Sequence, residues 1–141
     1  MERTYIKDIA EGRAKISGFV ENFRNKRTMA FIVIRDITGK LQVTVVKEEP
    51  PELCEMLDKL TLQSVGTFEG EGVKNDYVKL GGIEMLPDAM KIESLADAIP
   101  IKDDSDIDVR MDYRWIDLRR EKNHLMLQLQ TTLTAAFREF L

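Results

Sequence analysis

The chain has 141 residues, a length that predicts one domain with room for an appendage. Hydrophobic residues make up 43% and charged residues 33%, which predicts a soluble protein with a real core, and no stretch approaches the roughly 20 apolar residues of a membrane span. The single cysteine, Cys54, excludes an internal disulfide, and with one histidine, His124, the chain has few metal ligands, so we expect no metal site. The start of the chain has no signal-peptide pattern, so we expect a cytoplasmic location and no membrane partner.

Basic residues concentrate in the first third of the chain. Residues 13–47 contain eight basic and two acidic side chains, a net charge of +6, whereas the whole chain carries −4 and the remainder therefore −10. This asymmetry indicates a surface that faces a polyanion. A chance cluster on a solvated face is the alternative, and charge alone does not choose between the two.

Alternating and β-branched residues predict a three-stranded meander, with strands at residues 13–24, 28–35 and 40–47. A short basic loop, Asn25-Lys26-Arg27, joins the first two strands, and Asp36-Ile37-Thr38-Gly39 is a turn signal between the next two. Gly18 is expected to mark a bulge or bend in the first strand.

A helix and further strands follow the meander. Pro50-Pro51 predicts the start of the helix, whose apolar stripe consists of Leu53, Met56, Leu57 and Leu60. Cys54 beside it is expected to be a small core residue. About two more strands are expected from the apolar runs at residues 65–71, 77–80, 83–86 and 90–92. This order predicts a mainly β protein, a five-stranded OB-fold β-barrel with one helix between strands 3 and 4; another small barrel or an α+β sandwich remains open.

The last 40 residues differ in character from the rest. An exposed acidic linker is predicted around four aspartates: Asp103, Asp104, Asp106 and Asp108. Residues 122–141 read as a helix whose apolar stripe comprises Leu125, Leu129, Leu133, Ala136 and Phe140. Because such a stripe needs a surface to pack against, we expect its partner in sequence outside this chain rather than on the barrel. The predicted domains are therefore residues 1–100 and residues 101–141.

Strand parity assigns outward positions on the barrel. If the aliphatic rows fill the interior, Phe31 and Gln42 face outward on paired strands, and Glu84 faces outward on a later strand. A ring in this position can stack a nucleobase, worth roughly 1–3 kcal/mol, and an amide offers a donor and an acceptor to a base edge. Three basic residues, Arg24, Lys26 and Arg27, would meet phosphates. The alternative is that a bulge shifts the parity and Phe31 lies in the core.

Several of these residues, together with a motif near the end of the chain, resemble a known family. The residues are Gly18-Phe19-Val20, Phe31, Arg35-Asp36, Gly39 and Gln42, and the motif is Arg-x-x-x-Arg-Trp-Ile-Asp-Leu-Arg-Arg at residues 110–120. They look like the N-terminal part of class IIb aminoacyl-tRNA synthetases, the aspartyl, asparaginyl and lysyl subgroup, and the motif is more similar to the aspartyl members. Two departures are Phe19, where the family usually has tryptophan, and Asn25-Lys26-Arg27, where the loop often has Asp-Leu-Gly.

The resemblance implies an anticodon-binding domain whose partner is tRNA. It assigns Phe31 to stacking the middle anticodon uridine, Gln42 to reading that base and Glu84 to a neighbouring anticodon base, with Arg24, Lys26 and Arg27 in the basic loop. It implies residues 101–141 to be a hinge and the first helix of a catalytic domain that continues beyond this chain. The longer enzyme would be a homodimer using ATP and magnesium, while this chain would hold no catalytic residue and no cofactor.

Alternatives to the aspartyl assignment stay open at this point. The chain could belong to an asparaginyl or lysyl enzyme. It could instead be a stand-alone OB-fold protein that binds single-stranded nucleic acid, or a protein-interaction module whose C-terminal helix docks a partner.

Overall fold

The computed structural model describes residues 2–47 and 51–141. The chain forms two compact units, Met1–Ala98 and Ile99–Leu141.

The first unit is a closed five-stranded barrel. Its strands are β1 (Gly12–Asn25), β2 (Met29–Arg35), β3 (Lys40–Val46), β4 (Val65–Lys74) and β5 (Ile83–Ser94), with helix α1 (Pro51–Lys59) between β3 and β4 and a short 3-10 turn (Ile6–Asp8) before β1. The strand order is β1-β2-β3-β5-β4, in which β3 and β5 pair in parallel and all other neighbours are antiparallel. The predicted OB-fold is confirmed; Pro50, part of the predicted helix start, lies outside the described residues.

The barrel interior follows the predicted alternation. The even-numbered residues of β2 and the odd-numbered residues of β3 are fully buried: Ala30, Ile32, Ile34, Leu41, Val43 and Val45. The predicted stripe of α1 packs into this core, with Leu53 and Leu57 of the helix and Leu60 just after its end buried, and Met56 packed against them. Cys54 lies at the edge of the core, half-buried, with Sγ 3.5 Å from the Lys47 carbonyl oxygen, and not within the core as expected.

The bulge in β1 is not at Gly18, so the prediction of a bulge at that residue was wrong. The register with β2 shifts between Val20 and Asn22, which makes Glu21 the extra residue. Gly18 pairs regularly with Gly66 on β4, and a Cβ on it would lie 2.5 Å from the Arg35 carbonyl oxygen. A glycine is needed at this position because a Cβ would collide with the neighbouring strand.

The apolar run at residues 77–80 belongs to the connection between β4 and β5 and forms no strand. Val78 is buried in this connection. Two backbone hydrogen bonds close the loop: the Val78 N–H donates to the Asn75 carbonyl oxygen (3.0 Å), and the Asn75 N–H donates to the Gly82 carbonyl oxygen (2.9 Å). The runs at residues 83–86 and 90–92 are both parts of β5, which is therefore longer than either run predicted.

Asp36 joins the N-terminal segment to the turn between β2 and β3. Its carboxylate accepts hydrogen bonds from the Ile6 N–H (2.9 Å), from the N–H and hydroxyl of Thr38 (both 2.6 Å) and from the Gly39 N–H (3.0 Å). Burial alone would raise the pKa of Asp36, but these hydrogen bonds, that of the Thr38 hydroxyl first, outweigh it and hold the pKa below its ordinary value.

The second unit consists of three helices: α2 (Ile107–Asp112), α3 (Arg114–Asp117) and α4 (Glu121–Phe140). They are joined by the fully buried side chain of Asp117. Arg110 donates to both of its carboxylate oxygens (2.9 and 3.2 Å), and Arg114 (3.2 Å) and Asn123 (2.9 Å) donate to one of them. The hydrogen bond from Arg110 lowers the pKa of Asp117, and the charges of Arg110, Arg120 and Arg114 add to this effect. Three arginines of the motif, Arg110, Arg114 and Arg120, thus surround one buried carboxylate.

The predicted stripe on α4 is exposed: Leu125, Leu129, Leu133 and Phe140 each expose more than half of their surface, as does Phe137 beside them. The four aspartates of the predicted acidic linker are exposed as predicted, but Asp108 lies in α2 and Asp106 directly precedes that helix, so the linker is shorter than predicted. Within the part of the chain that the structure describes, no helix combines the length and the apolar content that a membrane crossing requires.

Candidate nucleic-acid interface

Phe31 lies on the outer face of the barrel. It belongs to the outward row of β2 and is half-buried, whereas its neighbours Ala30 and Ile32 are fully buried. Its partner on β1 is Arg24 and its partner on β3 is Thr44. The alternative that Phe31 lies in the core is therefore wrong, because the bulge at Glu21 leaves the parity of β2 unchanged.

The loop between β1 and β2 carries the three basic residues to the edge of this face. Arg24 is the second-last residue of β1, and Lys26 and Arg27 lie in the loop that follows. All three side chains are exposed. The loop is closed by a hydrogen bond from the Lys26 N–H to the Met29 carbonyl oxygen (2.9 Å). Lys26 Nζ lies 5.6 Å from the centroid of the Phe31 ring, a cation–π distance. A ligand that stacks on this ring would therefore lie close to a positive charge.

Gln42 and Glu84 are direct neighbours across the parallel pair β3–β5. Gln42 also pairs with Val33 on β2. The amide nitrogen Nε2 of Gln42 donates to Glu84 Oε2 (3.3 Å) and to Thr44 Oγ1 (3.2 Å). The amide is thus held by two protein acceptors that lie side by side, and the expectation that it presents a donor and an acceptor to a ligand stays a prediction.

Two residues that the sequence did not single out hold Glu84 in place. The Thr44 hydroxyl donates to Glu84 Oε2 (2.6 Å), and Asn75, at the end of β4, donates from Nδ2 to Glu84 Oε1 (2.7 Å). Asn75 is itself fixed by the Tyr77 N–H, which donates to its Oδ1 (3.1 Å). The outward polarity of Thr44 was a visible signal, whereas nothing local marked Asn75.

The face therefore combines one half-exposed aromatic ring, a fixed pair of polar side chains beside it and a basic rim. An aromatic ring stacks any base, cations bind phosphates, and polar side chains bond to a base edge. This combination suits a single strand of nucleic acid. In residues 2–47 and 51–141, no group of three or more histidine, cysteine, aspartate or glutamate side chains could hold a metal ion.

The barrel topology and this face define the protein class as an OB-fold nucleic-acid-binding module. The family model for tRNA anticodon domains, described as an OB-fold nucleic acid binding domain, matches residues 14–93. The chain therefore belongs to this family of tRNA anticodon-type OB-fold domains.

The chain is similar in sequence to aspartate–tRNA ligases. The chain is 35% identical to the aspartate–tRNA(Asp) ligase of Picrophilus torridus and 33% identical to the aspartate–tRNA(Asp/Asn) ligase of Methanopyrus kandleri, over 99% and 100% of its own length. It spans only about a third of these relatives, 34% and 35% of their lengths. Its fold is similar to that of asparaginyl-tRNA synthetase from Pyrococcus horikoshii, with a TM-score of 0.90 at 24% identity over 99% of this chain and 34% of the other.

Proposed function

We propose that this chain binds the anticodon loop of a tRNA, as the anticodon-binding domain of an aspartate–tRNA ligase. The observation that carries the proposal is the outward Phe31 with the Gln42–Glu84 pair beside it, on the barrel of an OB-fold family whose matched relatives are aspartate–tRNA ligases.

Each residue of the face has a proposed role. Phe31 stacks the middle anticodon base, a uridine, and Gln42 bonds to the edge of that base. Glu84 contacts a neighbouring anticodon base, and Arg24, Lys26 and Arg27 bind phosphates. The exposure of these three cations supports this role, as does the position of Lys26 over the ring.

The activity proposed for the longer protein is ATP- and magnesium-dependent attachment of aspartate to tRNA, in the cytoplasm and as a homodimer. The described residues offer no cluster that fits a metal ion, so no step of that reaction is assigned to them. Residues 101–141 are proposed to be the hinge and the first helix of the catalytic domain. The exposed stripe of α4 supports this, because it suits burial against further protein. The aspartyl assignment is preferred to the asparaginyl one because the matched relatives of more than 30% identity are aspartate enzymes, while the asparaginyl likeness is one of fold.

Binding of a labelled anticodon stem-loop RNA, followed by fluorescence anisotropy, tests the proposal. Phe31→Ala is expected to weaken binding by about 5- to 150-fold, since a base–aromatic stack is worth about 1–3 kcal/mol. Replacing the middle uridine by another base should cost a similar amount.

Two controls sharpen this experiment. Phe31→Tyr keeps the aromatic face and should bind within about 3-fold of the unchanged protein. Equal affinity for stem-loops of any anticodon would contradict anticodon recognition and favour a single-strand binder without sequence choice. No salt-dependent binding at all would favour a protein-interaction module.

A further inference from the structure

We propose that Glu21, the extra residue of the β1 bulge, is a specificity-determining residue that masks two cations at one end of the nucleic-acid face. Because Arg35 and Lys40 are paired with Glu21, the phosphates of an RNA strand are drawn to the basic loop at the other end. This inference rests on the proposed function and adds to it how the domain limits binding of RNA in the wrong position or of the wrong sequence.

The outward row of β2 connects the two ends of the face. Phe31 and Arg35 both belong to this row, four residues apart, which is about 13 Å at the usual rise of a strand. Arg35 is opposite Lys40 on β3 and opposite Phe19 on β1. Its guanidinium carbon lies 5.8 Å from the centroid of the Phe19 ring. This end of the face therefore repeats the combination of cations and an aromatic ring that is found around Phe31.

Glu21 contacts both cations of this end. Its Oε1 lies 3.0 Å from Lys40 Nζ, and its Oε2 lies 3.7 Å from Arg35 Nε. Arg35 and Lys40 belong to the outward rows of β2 and β3, so the Glu21 carboxylate lies on the outer face of the barrel. All three side chains are half-buried, which leaves both ion pairs within reach of solvent and of a phosphate. One carboxylate thus occupies two cations that would otherwise attract RNA.

The structural setting of Glu21 favours this role over a role in folding. Regular pairing of β1 with β2 resumes directly after the bulge, with Asn22 opposite Val33, so the pairing needs no residue at this position. Oε2 is buried and has no hydrogen-bond partner among the described residues, an arrangement that costs stability. Partly exposed ion pairs offset little of that cost. Bulges are frequent beside binding sites, where they direct a side chain, and here the bulge adds a carboxylate to the face.

Masking these cations restricts where a strand can bind. Each phosphate that a protein neutralises on a single strand steepens the slope of log K against log salt by about 0.7. Phosphate contacts carry no sequence information, so cations at both ends would hold strands of any sequence in several positions. With one end masked, a strand is held mainly at the end where Phe31 can stack a base.

Glu21→Gln releases both cations and tests the masking in the whole chain. Fluorescence anisotropy measures binding of two RNAs, the anticodon stem-loop with its middle uridine and an oligoadenylate of the same length. We expect the oligoadenylate to bind about 5- to 25-fold more tightly at about 0.1 M salt, the effect of one or two phosphate contacts, with a slope steeper by about 0.7–1.4. The stem-loop should gain less because Phe31 sets its position, so its preference over the oligoadenylate should fall at least about 3-fold.

The chain offers a matched control for the loss of this charge. Glu69 is paired with Lys15 at 2.7 Å, and its side chain is as exposed as that of Glu21, 30% against 31%. The two residues are opposite each other on β4 and β1, away from the row of β2 that carries Phe31. Glu69→Gln should therefore leave the preference for the stem-loop and the salt slope unchanged.

Two double variants separate local from overall charge. Adding either Lys40→Gln or Lys15→Gln to Glu21→Gln gives proteins of equal net charge. We expect the variant without Lys40 to lose about 0.7 of the gained slope and the variant without Lys15 to keep it. Deletion of Glu21, which leaves the partners of β1 and β2 unchanged, is a second test of the single change. Thermal melting shows that each variant is folded.

The outcomes separate this inference from the function on which it rests. Equal salt slopes for the unchanged protein and a folded Glu21→Gln protein would overturn the inference, as would equal effects of Glu21→Gln and Glu69→Gln. In both cases anticodon binding would stand if Phe31→Ala still weakened binding of the stem-loop. If Phe31→Ala had no effect while Glu21→Gln strengthened oligoadenylate binding, the proposed function would fall and the masking would stand. Absence of binding to either RNA by the unchanged protein would remove both together.

Discussion

Charge and stacking make separable contributions to RNA binding, and salt distinguishes them. The face offers three exposed cations beside the ring, Arg24, Lys26 and Arg27. If each neutralises one phosphate of a single strand, the slope of log K against log salt is about −0.7 per contact, or about −2.1 in all. Raising the salt from about 50 to 200 mM should then weaken binding about 20-fold.

Arg27→Gln removes one of these contacts without changing the ring. Its slope should fall to about −1.4, so the same rise in salt should weaken binding only about 7-fold. Phe31→Ala should do the reverse, lowering affinity at every salt concentration while leaving the slope near −2.1, because stacking releases no counterions.

Arg13→Gln is a matched control for the loss of one positive charge. Arg13 lies on the same strand as Arg24, about 36 Å away along the strand at roughly 3.3 Å per residue, and is paired with Asp88 at 2.6 Å. Anisotropy titrations at four or more salt concentrations measure the slopes. Equal slopes for Arg27→Gln and the unchanged protein, or equal effects of Arg27→Gln and Arg13→Gln, would refute the placement of phosphate at the basic loop.

Three further predictions concern stability. Gly70→Ala should lower the free energy of unfolding by about 1–3 kcal/mol in urea denaturation, because its Cβ would overlap the Leu86 carbonyl oxygen, whereas Gly39→Ala, whose Cβ would have an ordinary 3.5 Å contact, should cost less than about 1 kcal/mol. Since the pKa of Asp36 is lowered in the folded protein, the stability that this carboxylate provides is present above its unfolded pKa of about 3.9 and is lost as the pH falls through the folded pKa. Asp36→Asn should therefore flatten the loss of stability in acid, measured by urea titrations at successive pH values. An unchanged loss in this variant would contradict the prediction. The pKa of Asp117 is lowered too, so the helical circular-dichroism signal of the second unit should fall in acid with the same sign, and in Asp117→Asn it should be reduced already at neutral pH.

The outward position of Phe31 and Gln42 could be predicted because both depend on local rules. Residues 29–35 and 40–46 pair without a break in register, and a four-residue turn between them fixes which residues are opposite each other. The bulge was different. Glu21 has no property that marks it as the extra residue. Gly18 carried the usual sequence signal for a bulge, but the structure requires a glycine there for another reason, the close approach of the Arg35 carbonyl.

The partners of Glu84 could not be predicted, because they meet only when the barrel closes. Thr44 and Glu84 are 40 residues apart in the chain, and their contact depends on parallel pairing between β3 and β5, which no hairpin turn specifies. Asn75 comes close to Glu84 through the antiparallel pair β4–β5, where a nine-residue separation leaves several registers open. Outward polarity could identify Thr44 as available for a contact, but the identity of the contact is a property of the closed barrel.

The same pairing that closes the barrel also fixes the geometry of the interface. The described register between β3 and β5 consists of Gln42 opposite Glu84 and Val43 opposite Met85. Val43 and Met85 are both fully buried, so a slip of β5 by one residue would turn Met85 outward and direct the Glu84 carboxylate into the core. Burying an unpaired carboxylate costs several kcal/mol or more, which makes the slipped register inaccessible. Packing of Val43 against Met85 in the core therefore fixes the register that places Gln42 opposite Glu84 on the outer face. The hydrophobic interior behind this polar pair thus holds it in place.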